Sequence, residues 1–140
     1  KDLDFIIVDM PPGTGDTQLT FSQGIEMNGA IIVSTPQEIA LLDVKRGIKM
    51  FDKLGVKILG LIDNMSSFIG DDGKKYAIFG EGGVKRTAEE FNKEFLAEIP
   101  IDPEIGKFGD QGKPIVESDP NNKISQIYKN LAKKIKSIYL

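Results

Sequence analysis

The first sixteen residues of the chain restrict its fold more than any other stretch. Residues 4–8, Asp-Phe-Ile-Ile-Val, form a short apolar run rich in β-branched side chains, and Asp9 follows it directly. Such a run predicts a strand buried on both faces of a parallel sheet. Residues 11–15 predict a stiff turn, because proline fixes φ and glycine leaves backbone N–H groups open to an anion. Asp16 is placed to cap the helix that follows.

This order of strand, aspartate, proline–glycine turn and helix is typical of the switch region of a nucleotide-hydrolysing α/β domain. In open α/β sheets, ligands bind beyond the carboxyl ends of the strands, so Asp9 is placed to hold a cation such as Mg²⁺. An ordinary strand-to-helix turn is the alternative. The sequence Asp-x-Pro-Pro-Gly-Thr-Gly-Asp is more constrained than a simple chain reversal needs.

Strands and helices alternate along the rest of the chain. Apolar runs predict strands at 29–34, 57–62 and 95–99, and helical periodicity predicts helices at 16–24, 39–54, 84–91 and from residue 121 or 122 to the end. Residues 66–78 interrupt this order, and Asp72-Gly73 predicts a hairpin turn there. Residues 1–140 are therefore expected to form one α/β domain, a parallel sheet with helices on both faces.

Composition excludes several kinds of site and partner. The 140 residues contain no cysteine and no histidine, which leaves no disulfides and no thiolate or imidazole metal ligands. A net charge of −3 gives no footprint for nucleic acid, and the apolar runs are far too short to span a membrane. We expect a cytoplasmic protein with no nucleic-acid or membrane partner. The basic face of the last helix could instead rest on a membrane surface, although a solvated lysine face is the simpler interpretation.

A phosphate-binding loop of the Gly-Lys-[Ser/Thr] type does not occur in the 140 residues. Gly80 to Gly83 comes closest, but Lys85 is followed by Arg86 and no buried strand leads into the loop. This favours a helix-entry loop over a phosphate cradle. The predicted core strand already begins at residue 4, so we expect the chain to be the C-terminal part of a longer P-loop NTPase domain.

Five motifs resemble the second half of the Mrp/ApbC-type cluster carriers, which belong to the MinD/ParA group of deviant P-loop NTPases. The resemblance implies an ATPase that carries iron–sulfur clusters, works as a homodimer and has iron–sulfur apo-proteins as partners. A noncatalytic scaffold or a MinD/ParA-like positioning module is the alternative, and a phosphate loop encoded upstream would favour the enzyme. The motifs lie at 8–16, 34–37, 64–66, 78–83 and 98–102.

The same resemblance implies roles for single residues around ATP and Mg²⁺. Asp9 would hold the Mg²⁺ shell, and Gly13, followed by Thr14 in the same turn, would offer its N–H to the γ-phosphate. Asn64 would hydrogen-bond the adenine edge. The segment from Pro100 to Asp102 would wall the base, although a plain turn is the alternative for Asn64 and Pro100. Without a phosphate loop, the 140 residues alone are expected neither to bind ATP tightly nor to hydrolyse it.

One departure from the family concerns its cluster ligands. Many members carry Cys-x-x-Cys between the third and fourth motifs, and this pair binds a [4Fe–4S] cluster between two subunits. Here residues 67–76 contain no thiol, and the carboxylates of Asp71 and Asp72 match an iron–sulfide cluster poorly. Either clusters are carried by other means or the ATPase switch serves another cargo, and the sequence leaves both open.

The resemblance also predicts a gap in the sheet. In this fold, the strand that feeds the phosphate loop lies between the strand at 5–8 and the strand at 30–33. We expect the gap to close by direct pairing of these two strands or by a strand from a second copy, because Phe5 to Val8 bury enough apolar area to hold their strand in place. Detachment of the first strand is the third possibility.

Overall fold

Three parallel strands and one short antiparallel strand form the sheet of the computed structural model, which describes residues 3–10 and 15–140. β2 (Ile58–Ile69) lies in the centre and pairs in parallel with β1 (Ala30–Ser34) and β4 (Phe95–Ile101). Its far end pairs antiparallel with β3 (Lys75–Tyr76). The helices of the described part are α1 (Asp16–Gly24), α2 (Glu38–Lys53), α3 (Gly83–Glu90), α4 (Pro103–Asp110), α5 (Ile115–Ser118) and α6 (Lys123–Tyr139). The predicted α/β class is confirmed.

The main core lies between the sheet and helices α2 and α3. α2 has Glu38 in its first turn and Lys53 in its last, where each charge is favourable to the helix dipole. Gly55, with φ of +71°, follows the helix end. Buried side chains recur every three or four residues along α2, as one apolar helix face requires. They pack with β2 and α3 into one cluster: Leu41, Val44, Ile48, Ile58, Leu61, Val84 and Ala88.

A polar side chain sets the start of the last helix. The Asn122 side chain accepts a hydrogen bond from the Ile124 N–H at 2.8 Å and caps α6, as predicted. α6 packs against β4, and its lysine face is largely in solvent. The predicted cap of α1 is wrong, because that helix begins at Asp16 and Gly15 holds the cap position. In the described residues, no helix combines the length and apolar character that a membrane crossing requires.

The predicted strand at residues 4–8 does not form. Residues 5–10 have no regular structure, and the side chains of Ile6 and Ile7 are 79% and 93% exposed. Phe5 alone makes an aromatic contact, edge-to-face with Tyr139 at 6.3 Å. A strand is stable only where a neighbour pairs with its backbone groups, and the local apolar pattern cannot supply that neighbour. Direct pairing with β1 was therefore the wrong prediction, whereas pairing with a second copy stays a prediction.

β1 is less buried than its sequence predicted. Ile32 packs on the main core, but Val33 on the opposite face is 57% exposed. In the described part of the chain, β1 pairs only with β2, so its other edge is open. The apolar pattern correctly predicted a strand here but not which of its surfaces are covered.

β2 is longer than predicted and carries the hairpin. It continues past Ile62 to Ile69, and β3 folds back on it through the predicted turn at Asp72-Gly73. The Asp72 carboxylate accepts hydrogen bonds from the Lys74 N–H at 3.0 Å and the Tyr76 hydroxyl at 2.9 Å. These two bonds hold the pKa of Asp72 below its ordinary value. The predicted β excursion is confirmed.

Candidate functional site

A row of polar residues crosses the three parallel strands near their carboxyl edge, at the last residue of β1 and before the ends of β2 and β4. In register across the sheet lie Ser34 on β1, Asp63 on β2 and Glu98 on β4. One position further along β2, Asn64 lies opposite Ile99. Ligands of open α/β sheets bind at this edge, so these residues define the candidate site.

The structure brings together two of the residues predicted to contact a base. Asn64 is half-buried on β2, and Pro100 directly follows the residue opposite Asn64 on β4. The parallel ladder is interrupted after Asn64, where Met65 has a left-handed φ of +56°, and resumes at Phe68. The sequence predicts Asn64 at a strand end. β2 continues beyond Asn64, but its pairing with β4 is interrupted directly after this residue.

Asp102 has a structural partner of its own. Its carboxylate accepts a hydrogen bond from the Glu104 N–H at 2.8 Å and caps α4, with Pro103 in the first turn. Its predicted place in the wall around a base stays a prediction. The cap fixes the direction of the chain where β4 passes into α4.

The other predicted site residues lie near the start of the chain. Asp9 is exposed at the end of the irregular segment. Gly13 and Thr14 lie outside the described residues. Within residues 3–10 and 15–140, no three potential metal ligands cluster. A single carboxylate such as Asp9 still fits Mg²⁺, which commonly takes one or two carboxylates, waters and substrate phosphates.

Asp63 is the feature of this edge that the sequence interpretation missed. Its residue is 1% exposed, and its Oδ1 atom has no hydrogen-bond partner in the described part of the chain. Burial, reinforced by the negative charge of Glu98 and opposed by Lys75, raises the pKa of Asp63 to about 6. The signal in the sequence is a carboxylate directly after five apolar or glycine residues, a pattern that equally predicts the end of a strand.

The loop at residues 80–83 is a helix entry, as predicted. Gly82, with φ of +66°, holds the cap position of α3. A Cβ atom on Gly83 would lie 2.7 Å from the Pro36 carbonyl oxygen and 2.7 Å from the Leu41 side chain. The space beside Gly83 is therefore filled by Pro36 and Leu41, and no phosphate can approach the backbone there.

A groove of about 280 Å³ opens elsewhere, between β4 and α6. It contains none of the residues predicted to bind nucleotide or metal. Its lining is mixed, with apolar side chains beside three polar ones: Leu96, Ala97, Glu98, Ile127, Asn130, Leu131 and Lys134.

The donor set of the hairpin does not fit an iron–sulfur cluster. The whole chain lacks cysteine and histidine, and the turn of the hairpin offers the carboxylates of Asp71 and Asp72. Carboxylate oxygen is a hard ligand, whereas these clusters are held by thiolates and occasionally imidazole. The Asp72 carboxylate is also already engaged by Lys74 and Tyr76.

Comparison with known proteins identifies the family of the chain. Residues 1–136 match the model of the ParA family described as NUBPL iron-transfer P-loop NTPase. The chain is 43% identical to the iron–sulfur cluster carrier protein of Aquifex aeolicus, covering 97% of the chain and 38% of that protein. It is 47% identical to the iron–sulfur protein required for mitochondrial NADH dehydrogenase of Arabidopsis thaliana, covering 96% and 43%. The chain thus spans about two fifths of the length of these relatives.

Solved structures agree with the sequence relatives. A nucleotide-binding protein of Archaeoglobus fulgidus in complex with ADP is 41% identical, with a TM-score of 0.67 over 74% of this chain and 43% of that one. The cell division ATPase MinD of Pyrococcus furiosus is 25% identical, with a TM-score of 0.74 over 96% and 52%. The family model and these relatives show that the chain belongs to the NUBPL iron-transfer P-loop NTPases of the ParA family.

Proposed function

We propose that the intact protein is an ATP-binding and ATP-hydrolysing carrier of iron–sulfur clusters, and that these 140 residues supply its base-binding edge and its switch segment. The observation that carries the proposal is the position of Asn64 opposite Ile99, the residue before Pro100, in a sheet whose relatives include an ADP complex. The names of the relatives favour a carrier over a scaffold or positioning module.

Each residue would act on a different part of the nucleotide. The Asn64 amide offers one acceptor and two donors, which match the donor and acceptor on the edge of adenine. Pro100 supplies a rigid apolar wall beside it. At the other end, Asp9 would hold the metal shell, and the N–H groups of Gly13 and Thr14 would face the phosphates. Mg²⁺, when bound, would neutralise charge on the phosphate oxygens.

The remaining parts of the proposal concern the whole protein. We infer that it works as a homodimer in the cytoplasm and has iron–sulfur apo-proteins as partners, in keeping with the carrier names of its relatives. A phosphate-binding loop outside the 140 residues would supply most of the positive charge around the triphosphate. The 140 residues alone are therefore proposed to be inactive as an ATPase.

The adenine contact can be tested by replacing Asn64 with alanine in the intact protein. We expect the dissociation constant for Mg·ADP, measured by calorimetry, to rise about tenfold, since a lost hydrogen bond that leaves its partner unpaired costs about 1–3 kcal/mol. Asn130→Ala is the matched control, because Asn130 is an exposed asparagine of α6 that is not among the predicted nucleotide contacts, and this variant should bind as the unaltered protein does. Unchanged affinity in Asn64→Ala would remove the residue from the base site.

Cluster binding by the chain itself can be tested by anaerobic reconstitution with iron and sulfide. Because the 140 residues lack cysteine and histidine, we expect them to stay colourless and to show no stoichiometric cluster absorbance. The readout is the visible spectrum together with bound iron per chain. One [4Fe–4S] per pair of chains would contradict our interpretation of residues 67–76.

A further inference from the structure

Tyr139, the last residue of α6, binds the loop that leads into β1. Its hydroxyl donates a hydrogen bond to the Asn28 carbonyl oxygen at 2.8 Å. Gly29 makes this approach possible, because a Cβ atom there would lie 2.7 Å from the Tyr139 hydroxyl oxygen. Directly after Gly29, the Ala30 N–H donates to the Lys57 carbonyl oxygen at 2.8 Å, where β1 joins β2. The end of α6 is thus attached to the amino edge of the sheet.

The ring of Tyr139 makes a second contact, with Phe5. The two rings lie edge-to-face, with centroids 6.3 Å apart and planes at 70°, an arrangement that is favourable for aromatic pairs. Phe5 is 39% exposed, less than any other apolar side chain of residues 3–8. One tyrosine therefore joins the irregular segment of residues 5–10 to the same edge at which β1 begins.

The length of the irregular segment determines what this contact can position. Asp9 follows Phe5 by four residues. Ser34, in the polar row of the candidate site, follows the first residue of β1 by the same number. Four residues of extended chain span about 13 Å. A segment held at Phe5 therefore has the length to bring Asp9 level with Ser34, whereas a segment without this attachment has no fixed origin.

We propose that Tyr139 is a positioning residue for Asp9: its hydroxyl holds the entry of β1, its ring holds Phe5, and the two contacts together fix the origin of the segment that carries the carboxylate. Tyr139 acts through Phe5 and not on the nucleotide or the metal itself. The attachment depends only on contacts within this chain, whereas its effect on the metal rests on the proposed role of Asp9.

A double-mutant cycle on the intact protein without nucleotide tests the attachment. The effects of Phe5→Leu and Tyr139→Leu on the unfolding equilibrium constant, measured by chemical denaturation, should be non-additive by about two- to tenfold, as the loss of one aromatic pair implies. Tyr139→Phe keeps the ring and should keep this coupling. Ile7→Leu is the matched control, because Ile7 belongs to the same segment but is 93% exposed, and its effect should add to that of Tyr139→Leu. Additive effects of Phe5→Leu and Tyr139→Leu, or equal coupling at Ile7, would overturn the proposal.

The effect on the metal is measured as a ratio of two dissociation constants for the non-hydrolysable ATP analogue adenylyl imidodiphosphate, one in EDTA and one in excess Mg²⁺. We expect Tyr139→Leu and Phe5→Leu to reduce this ratio about two- to tenfold, because the metal-binding position of Asp9 becomes less populated. The dissociation constant in EDTA should stay unchanged. General damage to the fold would instead weaken binding in both conditions alike, and that result would contradict a positioning role.

Asp9→Ala separates the two ways in which this experiment can fail. If Asp9→Ala reduces the ratio and Tyr139→Leu does not, the positioning role of Tyr139 is wrong while the metal role of Asp9 stands. If Asp9→Ala leaves the ratio unchanged, the metal role and the positioning role are both wrong.

Discussion

Replacing Asp9 with alanine in the intact protein is expected to reduce the rate of ATP hydrolysis at least about a hundredfold, which corresponds to about 3 kcal/mol of transition-state stabilisation. The physical reason is that this carboxylate is proposed to fix the metal shell around the transferred phosphate. The side chain is exposed, so its removal should leave the fold intact. Steady-state phosphate release and a thermal unfolding curve measure the two quantities.

Asp4→Ala is the matched control for Asp9→Ala. Asp4 is an exposed aspartate of the same segment but precedes the apolar run instead of following it. It should hydrolyse ATP at the rate of the unaltered protein. A loss of less than about tenfold in Asp9→Ala would exclude Asp9 from the metal role, since misplacing the metal should cost several kcal/mol.

Replacing Asp63 with asparagine is expected to remove a pH dependence of about 3 kcal/mol from the stability of the fold. The pKa is about 6 in the folded chain against an ordinary 3.8, so the folded state binds the proton more tightly than the unfolded state. The contribution of this group is therefore most favourable below pH 4, declines between about pH 4 and 6, and stays low above that range. Two units of pKa correspond to about 3 kcal/mol.

Chemical denaturation of the intact protein at pH 4, 6 and 8 measures this effect. Relative to the unaltered protein, Asp63→Asn should gain stability as pH rises, whatever the offset caused by the amide itself. Asp71→Asn, whose carboxyl lies in solvent on the hairpin turn, is the control and should follow the unaltered protein at all three values. Parallel stability curves for Asp63→Asn and the unaltered protein would show that Asp63 is not strained by burial.

Elements that carry their own stabilising pattern were predictable from the sequence. α2 combines an apolar stripe with Gly55 after its end, and the hairpin has an Asp-Gly turn between apolar residues. Asn64 and Pro100 could be placed on neighbouring strand ends because parallel strands present their carboxyl ends at one edge. For α2 and the hairpin, the information lies in the consecutive residues of the element itself.

Features that depend on distant neighbours were not predictable. Residues 4–8 have the composition of a core strand, yet they remain unpaired because no strand of the described chain accepts them. Asp63 has the sequence context of a polar strand end, but β2 continues past it and pairs there with β1 and β4, far along the chain. The length of β2 has the same cause, because its pairing with β4 continues as far as Phe68.

The hairpin contributes no buried side chain between residues 71 and 78, and it projects from the far end of β2 outside the main core. The turn could therefore be exchanged for another of the same span, including one that bears cysteines, without altering the packing on which the fold depends. The fold in this way separates the chemistry displayed at this position from the chemistry that keeps the chain folded. Such a division allows the residues of this turn to change by a local graft without loss of the fold.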